Sequence, residues 1–456
     1  LNRPVAHSPT AAASASHTNQ FFEGVIMRRL ATSLLAVLAV AGFVGCMQEK
    51  GAATASKENV IVIKPGENAQ KEAQEALIKA KEGDVIEFAE GDFAFTQTLS
   101  LEDVNGVSIR GKGQDKTRLN FKDQQPGAGA EGILVKANNF TISDLTVQDT
   151  KGDGVKVQGG KGVTFRNVKV EWTRGPHPDN GAYGVYPVLC EDILIEGCHI
   201  TDCSDAGVYV GQSKNAIVRR NHAEKNVAGI EIENTIGADV YENVATNNAG
   251  GLLIFSLPGL EQKIGKQCRA FKNKVYANNH ENFAKPGNIV ATVPPGTGVI
   301  IMANDDVELF DNDIYDNATA NVSISSYYVT QNKFDDPKYD PYPEGISVHN
   351  NRIKGGGDKP GGAFGELVAP LLQAKAPELK EFPDIVYDGI VDEAKLKDGK
   401  APEELKIILV DNGEVTFANL DLGRLLKGEE PEVSTDLAAF AGEPVRLPAV
   451  KIAGVE

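Results

Sequence analysis

Asn221, Asn226 and Gly229 recur as Asn243, Asn248 and Gly251, each displaced by 22 residues. Nothing else in the chain restricts its fold as sharply, because self-similarity at a period of about 20–50 residues means stacked copies of one small unit. Cys198, Cys203 and Gly207 hold the same places one unit earlier, preceded by Val168 with Thr173 and Leu145 with Thr150. Asn273 with Asn278, Asn312 with Asn317, and then Asn351 continue the series. After each second polar position comes a segment reading Gly-apolar-x-apolar: "GILV" from 132, "GVKV" from 154, "GVYP" from 184, "GVYV" from 207, "GIEI" from 229, "GLLI" from 251, "GVII" from 298, and "NVSI" from 321 as a last variant.

Period-two alternation with β-branched residues makes strands, and the apolar clusters lack the i, i+3, i+4 spacing of helices. A unit of 22 residues holds three short strands and their turns. The predicted fold is therefore all-β: a parallel β-helix solenoid whose coils stack at about 4.8 Å. Two columns of buried amides follow, Asn221, Asn243, Asn273, Asn312 and Asn351 in one, Asn226, Asn248, Asn278 and Asn317 in the other. Asn carries donor and acceptor, tolerates the left-handed region and can bond its counterpart in the next coil. Glycine is expected to supply the bend before each strand.

The ends differ from the repeat. Met27 is followed by "RRL", by the apolar run "ATSLLAVLAVAGF" and by small residues, the pattern of an export signal too short to span a bilayer comfortably. The expected organisation is an over-extended start over 1–26, a signal over 27–45, a polar tether over 46–59, the solenoid over 60–365 and a C-terminal cap with an irregular tail over 366–456. Ala69, Ala73, Ala76, Leu77 and Ala80 at helical spacing, ahead of Gly83, predict a helix closing the N-terminal end. Strands are predicted at Val85–Phe88 and Val107–Ile109. The net charge of −17 and pI near 5.0 argue against a nucleic-acid partner. Cys190, Cys198, Cys203 and Cys268 read as small buried fillers. No His/Cys spacing suggests zinc, and no cofactor is implied.

The second residue after each strand glycine points outward, giving a column Leu134, Lys156, Tyr186, Tyr209, Glu231, Leu253, Ile300, Ser323. Four loops beside it are enlarged. Thr173 to Gly184 spans 11 residues where Cys203 to Gly207 spans 4, and Asn278 to Gly298 spans 20 where Asn248 to Gly251 spans 3. Gly251 to Asn273 spans 22 and Asn321 to Asn351 spans 30, where Gly229 to Asn243 spans 14. The first two lead into the column and the others leave it, so they would wall a groove. Lys156, Tyr186, Tyr209 and Glu231 are the candidate binding residues, since tyrosine faces stack on sugar rings and Lys156 would meet a uronate. The loop "RGPHPDNGAY" adds Arg174, His177, Asp179, Asn180 and Tyr183. Were the face catalytic, Lys156 or Arg174 would neutralise a carboxylate, and His177 or Tyr183 would move the adjacent proton, the tyrosine through a pKa lowered by a cation.

Residues 60–365 resemble the right-handed parallel β-helix, or pectin-lyase-like, superfamily; the Ala-rich helix followed by "GDVIEFAEGDF" is similar to its polysaccharide-processing members. The whole chain after the leader also resembles bacterial lipoproteins described as parallel β-helix repeat-containing. Phe43-Val44-Gly45-Cys46 resembles a lipobox, which implies lipid on Cys46, with Met47 favouring the outer membrane. Mannuronan epimerases carry Tyr-Gly-Phe-Asp-Pro-His in this strand, and the frame here is Tyr183-Gly184-Val185-Tyr186-Pro187-Val188, without the acid and the histidine. Gly-His-Gly of the polygalacturonases is missing, although "RIK" at 352–354 and "NDD" at 304–306 are present. Glu231 and Glu233 stand two apart on one face, as a two-carboxylate glycosidase would need. The resulting expectation is a monomeric, lipid-anchored envelope protein that binds an acidic polysaccharide. The alternatives are a scaffold for an envelope protein, using loops 255–268 and 326–344 with Tyr327, Tyr328, Phe334, Tyr339 and Tyr342 as anchors, and a uronate lyase or C5-epimerase.

Overall fold

The computed structural model describes residues 58–125 and 130–455. The expected leader, Cys46 and the tether up to residue 57 lie outside the described residues. The chain winds into a right-handed parallel β-helix. One strand column forms an 11-stranded sheet from Leu99–Glu102 to Phe417–Asn419. The other two, represented in one coil by Lys214–Arg219 and His222–Glu224, merge into a 20-stranded sheet. They merge because Thr141–Gln148 and Lys161–Glu171 run through the corner unbroken. The strand pairs between coils are parallel and in register, so each inward column stacks like on like: Val208, Ile230, Leu252, Val299 and Val322 are all buried.

Both amide columns form ladders. Asn221 Nδ2 donates to Asn243 Oδ1 at 3.0 Å, Asn243 to Asn273 at 3.0 Å, Asn273 to Asn312 at 3.0 Å and Asn312 to Asn351 at 2.9 Å. The ladder runs one rung further than the spacing showed, to Asn412 at 2.9 Å. In the second ladder Asn226, Asn248, Asn278 and Asn317 repeat the pattern at 2.9–3.1 Å. Cys198 and Cys203 terminate them, donating only a backbone N–H to Asn221 and Asn226.

Two local expectations are corrected. The left-handed residue is not the ladder Asn but the residue before it: Arg220, Lys225, Glu242 and Asn247 have φ of 55–56°. That residue turns the corner, so the next side chain points inward. The strand glycines are required for space instead of for a bend. A Cβ on Gly229 would stand 2.6 Å from the Gly251 carbonyl oxygen and 2.8 Å from Asn248 Nδ2. The ladder and the following coil occupy the room a side chain needs.

Helix Ala69–Lys79 closes one end with Ala69, Ala73, Ala76 and Leu77 buried. Its Gln74 pairs with the backbone of Ser100 through two 3.0 Å bonds, occupying polar groups on the sheet edge that an incoming strand would use. At the other end the solenoid does not stop at Gly365. Ile385–Tyr387 adds to Ala320–Ser325, Ile407–Val410 adds to Glu344–His349, and Phe417–Asn419 adds once more. Spacing concealed this coil because helix Gly362–Lys375 interrupts it. Residues 441–455 are also not a loose tail. They run back along the outside of the 20-stranded sheet, Val445 N–H bonding Ser347 Oγ (3.0 Å), Leu447 N–H bonding Glu308 (3.0 Å) and Val450 N–H bonding Asp239 (3.2 Å).

Candidate functional site

The outward column of the 11-stranded sheet is in register from Leu134 to Ser323, beginning with Leu134 opposite Lys156 and Lys156 opposite Tyr186. Two loop pairs flank it. On the leading side the 173–184 and 277–296 loops meet through Lys285 and Asp179 at 3.0 Å. On the trailing side Lys263 and Asp336 join the 256–265 and 326–343 loops at 2.9 Å, and Tyr339 Oη donates to the Ser256 carbonyl at 2.6 Å.

These loops do more than wall the column: they fold over its middle. Val290, Val293, Phe283, Tyr327, Phe334 and Tyr339 pack on Tyr209, Leu253 and Ile300. Tyr209 and Glu231 are each only 4% exposed, so neither offers an open binding surface. The physical reason is the apolar content of the loops, which gain more by covering Leu253 and Ile300 than by standing in water. The aromatic residues 327–342 likewise fill their own loop: Tyr327, Phe334 and Tyr339 meet at 5.3–5.6 Å, and Tyr328 meets Tyr342 at 5.7 Å. Tyr327 and Tyr339 are buried there, while Tyr328, Phe334 and Tyr342 stay partly exposed.

The column stays open at its upper part. Tyr183, Tyr186 and Tyr209 converge with ring centroids 4.4–5.0 Å apart, and Lys156 Nζ lies 4.8 Å from the centre of Tyr186. Lys156 also approaches Glu131 at 3.9 Å. Tyr209 lies flat along its strand because residue 211 is glycine, where a Cβ would stand 2.2 Å from the ring. Its hydroxyl thereby reaches Glu233 Oε1 at 2.6 Å. Behind the tyrosines stand Asp205, Glu231 and Glu233, all buried. Burial, then the neighbouring Asp205 and Glu233, pushes Glu231 well above the usual carboxyl range, and its Oε2 has no hydrogen-bond partner. Burial and Glu233 raise Asp205 as well, and burial lifts Asp153 to about 6.

The four residues grouped for proton transfer separate. Lys156 and Tyr183 join the tyrosine cluster. Arg174 bonds Asn180 Oδ1 at 2.6 Å, and His177 Nδ1 accepts the Asp179 N–H at 3.1 Å, so both serve the turn's own structure. Asn180 anchors that turn, its amide donating to Gly175 O (2.9 Å) and Asp202 O (2.6 Å). For Tyr183 a pKa lowered by a cation is expected; burial and then the acids Asp205, Glu231 and Glu233 raise it instead. Sequence reasoning missed Asp153 and Asp205. Their signal was position: Asp153 immediately precedes strand glycine Gly154, and Asp205 stands two before Gly207.

Below the roofed middle lies a second opening, a cavity of about 910 Å³ between the 281–295 loop, the 328–331 segment and helix Gly362–Lys375. Ile300, Met302, Val293, Phe364 and Leu367 line it, with Ser323 and Ser325 on its floor.

Among curated proteins, none matches the sequence. Among solved structures, the chain is similar to the A-module of a mannuronan C-5 epimerase from Azotobacter vinelandii, with 16% identity over 75% of this chain and 90% of that one (TM-score 0.48). It is also similar to a GH136 lacto-N-biosidase from Eubacterium ramulus, with 13% identity over 66% and 64% (TM-score 0.48). No residue role is carried across at such identities. Residues 131–283 match the family described as right handed beta helix region. That match covers the coils from Gly132 to Asn278, about a third of the chain, and the fold of the described residues is a right-handed parallel β-helix.

Proposed function

We propose that this protein binds a polysaccharide at the open upper part of the 11-stranded sheet, with sugar rings stacking on Tyr186 and Tyr183 and hydroxyls bonding Lys156, Glu131 and Asp153. The observation that carries the reading is the convergence of Tyr183 from the 173–184 loop with Tyr186 and Tyr209 of the sheet at 4.4–5.0 Å, beside a lysine and two carboxyls that are partly exposed. Tyrosine supplies broad amphipathic contact at low entropic cost, and the sheet holds it in place. Charge decides the class of sugar. Lys156 faces the partly exposed Glu131 and Asp153, so a uronate polymer meets two carboxyls and one cation there. A neutral sugar chain suits the site better than the acidic polymer expected from sequence. In this reading lipid on Cys46 holds the protein in the bacterial envelope, the outer membrane being favoured.

The test is calorimetric titration with neutral gluco- and manno-oligosaccharides and with oligouronates. Neutral chains should bind, and Tyr186→Ala should weaken binding at least tenfold, with little effect of salt. Tight, salt-sensitive binding of oligouronates would restore the acidic reading. Unchanged affinity in Tyr186→Ala, or no binding to any chain, would refute the site.

A further inference from the structure

His199 and His222 stand side by side on the other sheet, well apart in character from the tyrosine face. They are register partners in adjacent coils, and Glu224 lies two residues beyond His222 on the same outward side. His199 Nε2 is 3.4 Å from one Glu224 oxygen and His222 Nε2 is 3.8 Å from the other. One ligand atom from each of the three lies within 4.8 Å of the other two. All three side chains are partly exposed, at 34%, 42% and 23%, so the group is open to solvent without being loose on the surface.

We propose that His199, His222 and Glu224 bind one zinc ion. Two imidazoles and one carboxylate are a donor set that suits borderline divalent metals, whereas magnesium and calcium prefer all-oxygen sites. Zinc needs bonds of about 2.0–2.2 Å, hence donors about 3.3–3.5 Å apart in a tetrahedron. The observed 3.4 and 3.8 Å, with all three donor atoms within 4.8 Å of one another, lie close to that spacing. Water would fill the remaining position. The local charge fits a cation. Lys169 precedes His199 in the same outward column, and Glu171 pairs with its ammonium at 2.6 Å. Sequence spacing could not show this site. Its histidines are 23 residues apart, one coil, instead of the three to five of a helical or loop motif.

The experiment uses the full chain purified without a polyhistidine tag, titrated with zinc chloride by calorimetry and with cobalt(II) by visible absorption. One ion per chain is expected, with cobalt bands of a four-coordinate site. His199→Asn and His222→Asn should each weaken zinc at least tenfold and abolish those bands, while His280→Asn changes neither. In the unaltered chain zinc should shift the imidazole signals of His199 and His222 and leave His349 unmoved, a readout independent of how well any variant folds. No saturable uptake, or uptake and imidazole shifts that bypass His199 and His222, overturns the proposal.

Discussion

Replacing Asn243 by leucine tests the ladder where its bonds are most fully defined. Its Oδ1 accepts both the backbone N–H and the side-chain amide of Asn221, each at 3.0 Å, and its Nδ2 donates to Val218 O at 2.9 Å and Asn273 Oδ1 at 3.0 Å. Leucine strands two donors on Asn221, whereas Asn273 Oδ1 still receives the residue 243 N–H at 3.0 Å. At about 1–3 kcal/mol for each buried group left unpaired, the two donors cost about 2–6 kcal/mol. Because each coil of a solenoid touches only its neighbours, the loss should be local, and a single global midpoint would blur it. The assay is hydrogen exchange over residues 214–276 together with urea denaturation, with exposed Lys274→Ala as a control expected within about 0.5 kcal/mol. Protection of the Asn221 amide equal to that of the unaltered chain, with a midpoint matching Lys274→Ala, would refute the load attributed to the ladder.

Three further outcomes follow from the same structure. Asp153 and Asp388 are lifted by burial to about 6 and Asp305 to about 8, and Asp205 and Glu231 are raised too. A carboxyl with a raised folded-state pKa contributes stability below its unfolded value, and that contribution is lost as pH rises through the folded value. The melting temperature should therefore fall from about pH 4 to pH 8, and Glu231→Gln, locked neutral, should flatten the decline; equal slopes refute this. Cys190, Cys198, Cys203 and Cys268 are unpaired and buried, with burial lifting the Cys190 thiol to about 11 and that of Cys198 to about 12. A thiol reagent at pH 8 should label none of these four until denaturant is added, and prompt labelling of any would contradict their burial. Ending the chain at Gly442 should speed exchange in strands Asp305–Phe310 and Glu344–His349 but not in Thr297–Met302, as peptide-level mass spectrometry would show.

The solenoid was legible because a coil repeats its needs. Every turn must satisfy the same corner amides, so Asn221, Asn243 and Asn273 return at the same place and the register follows. The outward column Leu134 to Ser323 was legible for the same reason. What covers that column was not, because loops 277–296 and 326–343 occur once and their apolar residues carry no period. Tyr209 and Glu231 were placed on the correct face but given the wrong exposure. The role of Gly229 was also beyond reach: crowding by Gly251 O and Asn248 Nδ2 is a property of two coils together, not of either alone. The last coil escaped notice because helix Gly362–Lys375 separates its strands from the rhythm that would announce them.

The path of residues 441–455 has a consequence for how the chain is made. Stacking of a coil needs only the coils before it, so the solenoid can grow in order from its N-terminal end. The final segment reaches back furthest among the described residues, joining Val450 to Asp239 across 211 residues and Leu447 to Glu308 across 139. Until residues 441–455 are made, the outer surface of strands Ile236–Tyr241 and Asp305–Phe310 lacks them, and Glu308 lacks the Arg446 guanidinium that later meets it at 3.1 Å. A product that stops before residue 441 would keep every coil of the solenoid and lack the segment that binds them across the outside.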